Sequence, residues 1–194
     1  MSGIPYVIEK APGNQERMYD LYSRLLKDRI IFVRGVFDQS MADSVVAQLL
    51  FLETNDSEKD IFMYINSPGG EVNAMYAIYD VMQYIRPDVV TVGIGGCASA
   101  ASFILAAGAK GKRYSLPNTE IMLHEFSGGV TGKAQDIFQT VEKQKALWHK
   151  MALHYVDFTG QDIEKIKKDM SRDYFMTAVE AKEYGIVDEI YERR

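Results

Sequence analysis

The chain has 194 residues, 47% of them hydrophobic and 25% charged, with a formal net charge of -5. That length and apolar content predict a single domain over residues 1–194, and the acidic balance excludes a general nucleic-acid binder, which carries a clustered basic face. Cys97 is the only cysteine, which excludes an intrachain disulfide and a cysteine-rich metal site; with a polar N-terminus and no apolar run near the ~20 residues that span a bilayer, the expected location is the cytoplasm.

Met18, Leu21, Tyr22, Leu25 and Leu26 recur at helical spacing, and Ile30 to Val33 form an apolar run bounded by charge, so a helix and then a strand are expected. Asp38 and Ser40 offer caps for a helix carrying Ala42, Val45, Val46, Leu49 and Leu50 on one face. A polar loop from Asn55 to Lys59 leads to a strand at Ile61 to Ile65, and Ser67 to Gly70, "SPGG", reads as a turn. Val72, Met75, Ile78, Tyr79, Met82 and Ile85 mark the next helix, which Pro87 helps to end before a strand at Val89 to Ile94. An alanine-rich helix then runs to Gly108, and Lys110, Lys112 and Arg113 read as a solvated turn. Strands and helices alternating in this way predict an α/β fold with a parallel sheet.

Lys133 to Phe158 contains neither Gly nor Pro, and Ile137, Val141, Trp148, Met151 and Tyr155 form one stripe along it. Two readings follow: a helix of about 26 residues, ~39 Å long, that projects and needs another surface over its stripe, or two shorter core helices. At the end, Thr177 and Glu180 make a capping box, Gly185 closes that helix, and Ile186 to Ile190 reads as a last short strand.

The candidate chemistry lies in "GIGGCASAASF", Gly93 to Phe103. Ser99 stands where a strand gives way to a helix, which exposes its side chain and aims free amide groups at whatever binds there. It reads either as a nucleophile or as a helix cap. Ser102 points back into helix packing, and Cys97 reads as a small, inaccessible core residue. His149 and His154 are five apart on the long helix, off the spacing of paired metal ligands, and are expected at a surface or interface. His124 ends an apolar strand from Ile121 to Leu123, at the sheet edge where α/β proteins gather ligands; it reads equally as a base for Ser99 or as a histidine satisfied by backbone. Gly69 and Gly70 are placed to offer backbone N–H groups to an oxyanion, although the same pair suits a plain turn. Spacing does not choose the acid that would complete a triad.

With "YINSPGG", "AIYDVMQYIRPDV", "LAAGAKGKRYSLPN", "GQDIEKIKKD" and "SRDYFMTAVEAKEYGIVDEI" in this order, the sequence resembles the proteolytic subunits of the Clp protease over nearly its whole length. The resemblance implies a crotonase/ClpP-like fold of repeated β-β-α units, with an N-terminal axial segment at 1–20 and a handle region at about 130–158. It implies a serine endopeptidase with Ser99 as nucleophile, His124 as base, Asp173 as the acid, and the amides of Gly70 and Ala100 as oxyanion hole. Glu71, Glu125, Phe126 and Ser127 match positions that border the substrate cleft. Phe62, Tyr64, Tyr84, Tyr114 and Tyr191 match the cleft where an unfoldase docks.

The implied assembly is a homo-oligomer of two stacked seven-membered rings, possible also with a paralogue. An AAA+ unfoldase of the ClpX, ClpA or ClpC type feeds it unfolded polypeptides and consumes the ATP; the chain itself is expected to need no cofactor or metal. Ala100 and Ala101 stand where the family has Met and Gly, Glu125 to Ser127 where it has Q-P-L, and Ser171 where it has an acid. Glu71, Asn73 and Met75 alter the segment after Gly70, and Lys133 replaces a Gln in the ring-stacking region. Altered side-chain preference with intact backbone pairing of substrate is therefore expected. A weakly active or structural ring paralogue is the alternative; a crotonase-like acyl-CoA enzyme is a further one, disfavoured by the filled Ser, His, Asp set.

Overall fold

Two strands that the hydrophobic pattern does not announce begin the molecule. In the computed structural model, which describes residues 4–192 other than 12 and 14, Tyr6–Ala11 (β1) and Gln15–Asp20 (β2) pair antiparallel, with Ile8 opposite Met18. Residues 1–3, 12 and 14 of the expected axial segment lie outside the described residues. Met18 therefore belongs to a strand, where it is 68% exposed, and not to the helix its spacing suggested. That helix, Leu21–Lys27 (α1), starts only where the Asp20 carboxylate accepts from the Ser23 amide.

The strand and helix alternation then sets in: Ile30–Phe37 (β3), Gln39–Asn55 (α2), Ile61–Gly70 (β4), Val72–Tyr84 (α3), Val89–Ala98 (β5) and Ala100–Ala106 (α4). Arg113–Ser115 (β6), Glu120–Leu123 (β7), Ala134–Thr159 (α5), Ile163–Met170 (α6), Tyr174–Met176 (β8), Ala178–Tyr184 (α7) and Glu189–Ile190 (β9) complete it. The main sheet runs β3-β4-β5-β6-β9, with β7 pairing β5 and β8 pairing β7. Every pair in it is parallel except β7 with β8, so the fold is mixed α/β with a mostly parallel sheet.

The core follows from alternation along the strands. Ile31 and Val33 of β3 and Ile61, Met63 and Ile65 of β4 are fully buried, on the face covered by Ala42, Val45 and Leu49 of α2 and Ala74, Met75 and Ile78 of α3. Asp38 caps α2 through the Met41 amide, but Leu52 takes the last buried place and Leu50 is 39% exposed. All seven residues of α4 are buried, and its alanines let it lie close between the sheet and helices α3 and α5.

Strands β4 and β5 outrun their expected ends. The "SPGG" turn is the end of β4, because its backbone keeps pairing with Val36 and Phe37 after a register shift. At the other end of the chain Ile186 and Val187 are buried before β9 begins, so the last strand is only Glu189 and Ile190.

Arg113 corrects a second expectation. It is 5% exposed, donates to both oxygens of Asp188 at 2.6 and 2.9 Å, and donates to the carbonyls of Ala106 and Phe158, tying together the ends of α4, α5 and the last strand region. Burial works against the Asp188 charge, but the hydrogen bonds and attraction of Arg113 outweigh it and hold that carboxyl below its ordinary range. Lys112 is likewise ion-paired, to Asp60 and Asp88; of the three basic residues only Lys110 is a solvated one.

Helix α5 is continuous over 26 residues and ends at Gly160 in the left-handed region, φ 71°. Only Met151, Ala152 and Tyr155, in its C-terminal half, are buried; Phe138 near its start is 66% exposed, so the N-terminal half projects. His154 is not a surface residue: it packs among Tyr76, Tyr79, Phe103 and Phe158, with Nδ1 3.3 Å from the Tyr79 hydroxyl, and burial pushes its pKa down. His149 is exposed. Among the described residues no helix is long and apolar enough to cross a membrane.

Candidate active site

Strand β5 forks. Its first half, Thr91 to Gly93, pairs with β6, and its second half, Gly96 to Ala98, pairs with β7. Ser99 follows directly, with φ 57° and ψ -120°, a conformation that is the mirror image of extended backbone and open only to glycine without strain. The turn is held from both sides: the Ser99 amide donates to the Met122 carbonyl at 2.8 Å, and the Ser99 carbonyl accepts from the Ser102 hydroxyl at 2.7 Å and the Phe103 amide at 3.1 Å. The Ser99 side chain makes no capping bond, which removes the helix-cap reading.

Its Oγ meets His124 instead. Nε2 of His124 lies 2.8 Å from Ser99 Oγ, and Nδ1 lies 3.1 Å from Asp173 Oδ1. The antiparallel ladder explains the second contact: Leu123 of β7 stands opposite Tyr174 of β8, so His124 and Asp173, one residue beyond each, face one another. The Glu125 amide donates to the Met170 carbonyl at 2.7 Å and closes this corner. Because a carboxylate only accepts, Nδ1 of a neutral imidazole carries the hydrogen here, and Nε2 is left to accept from the Ser99 hydroxyl. The side chain of His124 is 24% exposed and that of Asp173 is 60% exposed.

The glycine pair abuts this row. A Cβ added at Gly69 would lie 2.7 Å from Ser99 Cβ and 3.0 Å from the Ala100 amide nitrogen, and one at Gly70 would lie 2.3 Å from the Phe37 carbonyl oxygen. With φ of 92° and 153°, both positions also demand glycine. The close fit puts the Gly69–Gly70 backbone against the start of α4.

The remaining candidates separate. Cys97 is fully buried, its Sγ–H donates to the Ile65 carbonyl at 3.3 Å, and burial pushes its thiol up to about 12. Ser102 is fully buried, within 3.1 Å of the Tyr155 hydroxyl. Glu71 precedes α3 without a capping bond and, like Glu125 and Ser127, is exposed; Glu125 and half-buried Phe126 help line a cavity of about 330 Å³ against Val141, Gln144, Lys145 and Trp148.

Phe62 and Tyr64 share the half-buried face of β4, Tyr64 and Tyr114 flank Val92 in register, and Tyr114 stacks on Tyr191 with ring centroids 4.0 Å apart. Tyr84 sits elsewhere in the chain's architecture, 78% exposed at the end of α3. Ser171 ends α6 and donates to the Lys168 carbonyl. Among the described residues no group of three or more His, Cys, Asp and Glu is placed to hold a metal.

Sequence reasoning overlooked Ser67, which is 3% exposed beside the glycine pair. The signal for it is local: a Ser–Pro–Gly sequence favours a turn in which the hydroxyl accepts from the amide two residues on.

This row of Ser99, His124 and Asp173 at the carboxyl edge of a mostly parallel sheet suits hydrolysis of an acyl bond, and the comparisons with known proteins give the class as protease. The family described as Clp protease matches residues 13–194. The protein named ATP-dependent Clp protease proteolytic subunit 1 of Bacillus cereus (strain ATCC 10987 / NRS 248) is 55% identical over 194 residues, covering 100% of both chains. The chain belongs to the Clp protease family.

Proposed function

We propose that this chain is a serine endopeptidase and the proteolytic subunit of an ATP-dependent protease, cutting unfolded polypeptides to short peptides. The observation that carries the reading is the continuous row Ser99 Oγ, His124 and Asp173, with contacts of 2.8 and 3.1 Å; with the hydrogen on Nδ1 facing the carboxylate, Nε2 is free to act as a general base. His124 Nε2 takes the Ser99 proton as Oγ attacks a peptide carbonyl, and Asp173 stabilises the imidazolium. The proton passes to the leaving amine, and water, activated by the same histidine, then releases the acyl group. The amides of Gly70 and Ala100 hold the oxyanion, each lowering the barrier by about 3–4 kcal/mol. The mechanism requires no metal or cofactor of the chain's own.

Glu71, Glu125, Phe126 and Ser127 border the substrate's path; an extended peptide would pair there through backbone, with charged and aromatic side chains in place of a uniformly apolar lining. The exposed N-terminal half of α5 supports an assembly of two stacked seven-membered rings joined through these helices. Phe62, Tyr64, Tyr114 and Tyr191 supply an aromatic face for an apolar loop of an AAA+ unfoldase, to which Tyr84 of a neighbouring subunit would add. The setting is the cytoplasm, and ATP is spent by the unfoldase. A structural, weakly active ring subunit is disfavoured by the full-length similarity to a proteolytic subunit.

The test uses the assembled protein. It should cleave a fluorogenic peptide unaided and degrade an unfolded protein only with an AAA+ partner and ATP, with both activities lost in Ser99→Ala. Peptide cleavage undiminished in that variant overturns the reading.

A further inference from the structure

We propose that Ser67 is a positioning residue that aims the Gly70 amide at the reacting carbonyl; the inference rests on the reading of Gly70 as an oxyanion donor. At 3% exposure, Ser67 makes two hydrogen bonds through one hydroxyl. It donates to the Gly35 carbonyl at 2.5 Å and accepts from the Gly69 amide at 3.0 Å. The first bond crosses from β4 to β3 at the register shift between Arg34 and Val36, where Gly35 has φ 81°. Pro68, the next residue of β4, brings no N–H to the ladder, and the Ser67 hydroxyl serves the β3 carbonyl at this point.

The consequence falls on three consecutive amides. Gly69 donates to Ser67 Oγ, and Glu71 donates to the Phe37 carbonyl at 2.8 Å. Phe37 is the register partner of Gly70 and accepts from Glu71, so in this parallel pair Phe37 is the residue bonded across to β4, and Gly70 turns its own N–H away from β3. The Gly70 N–H therefore faces the other edge of β4, the side of β5, whose Cys97 pairs with Ser67 two residues before Ser99; a Cβ added at Gly69 would meet Ser99 Cβ and the Ala100 amide there. Ser67 fixes the peptide before it, so the donor's direction is set before substrate arrives. A freely rotating glycine pair would have to be ordered at each turnover; two hydrogen bonds from one buried hydroxyl remove that freedom.

Ser67→Ala deletes both bonds while leaving Ser99, His124 and Asp173 untouched. The measurement is steady-state peptide cleavage by the assembled protein, together with inhibition by a peptidyl boronate and by the same peptide as its carboxamide. The expected result is a fall in kcat of about 10–100-fold, less than deletion of an oxyanion donor, with KM within about threefold. Boronate binding should weaken by a factor similar to the kcat loss, and carboxamide binding should hold. Undiminished kcat, or equal weakening of boronate and carboxamide, overturns the proposal. If Ser67→Ala does not assemble, Ser67→Cys keeps the shape, weakens both hydrogen bonds and is read by the same criteria. Wild-type protein that cleaves nothing would instead remove the peptidase reading itself.

Discussion

The two sides of the proposed catalytic row are held in opposite ways. Ser99 sits on a strained turn at the end of a central strand, its amide bound to β7 and its carbonyl to α4, with a wholly buried helix behind it. Asp173 precedes a three-residue strand, is 60% exposed, and reaches the row through one 3.1 Å contact. The proposed nucleophile is thus placed by the core, and the proposed acid by a short ladder near the surface. The row is accordingly held more loosely on the exposed Asp173 side than on the buried Ser99 side.

The largest expected effect tests that contrast. Ser99→Ala or His124→Ala should lower kcat about a millionfold, and Asp173→Asn at most about ten-thousandfold, all with KM little changed; steady-state peptide cleavage reads both. Equal losses at all three positions would break the distinction between a fixed and a loosely held leg.

Arg113 braces the fixed side from below, through the carboxyl ends of α4 and α5. Arg113→Ala strands the Asp188 carboxylate and should cost about 3–5 kcal/mol of stability, seen in denaturant unfolding. Ser99→Gly sharpens the comparison in the other direction. It releases the backbone strain at φ 57°, so unfolding should shift in favour of the native state by about 1 kcal/mol while activity is lost. No such gain is expected from Asp173→Gly.

The smallest effect concerns pH. His154, on α5, packs against Phe103 of α4, with Tyr76, Tyr79, Lys150, Asp80 and Asp157 as the titratable groups about it. Burial, aided by Lys150, lowers its pKa from the ordinary 6.5. Below pH 6.5 the unfolded chain takes up a proton that the folded one refuses, so stability is full above 6.5 and declines as pH falls from there toward the lowered folded value. His154→Phe should flatten that decline in thermal midpoints taken across this window.

Much of this was legible in the sequence, and the misses share a cause. Periodicity found α2 and α3 because each buries one face, whereas β5 and α4 were legible as apolar and alanine-rich runs, β5 buried through its first half and α4 throughout. The β1–β2 hairpin escaped because Ile8 and Met18 bury neither side and Met18 falls by chance in phase with α1. Arg113 and His154 were misread because burial of a polar group depends on partners far away in the chain, Asp188 and the aromatic rings of α3 and α4. At the site, residue type and strand ends marked Ser99 and His124, whereas Asp173 came only through family likeness: its place depends on the pairing of Leu123 with Tyr174, which spacing does not encode.

Labelling with a fluorophosphonate, mapped by peptide mass spectrometry, tests the central claim that His124 activates a Ser99 held ready by the core. The account predicts one adduct per chain, at Ser99, formed far more slowly in His124→Gln and only partly slowed in Asp173→Asn. An adduct on any other residue, or an undiminished rate in His124→Gln, would contradict it.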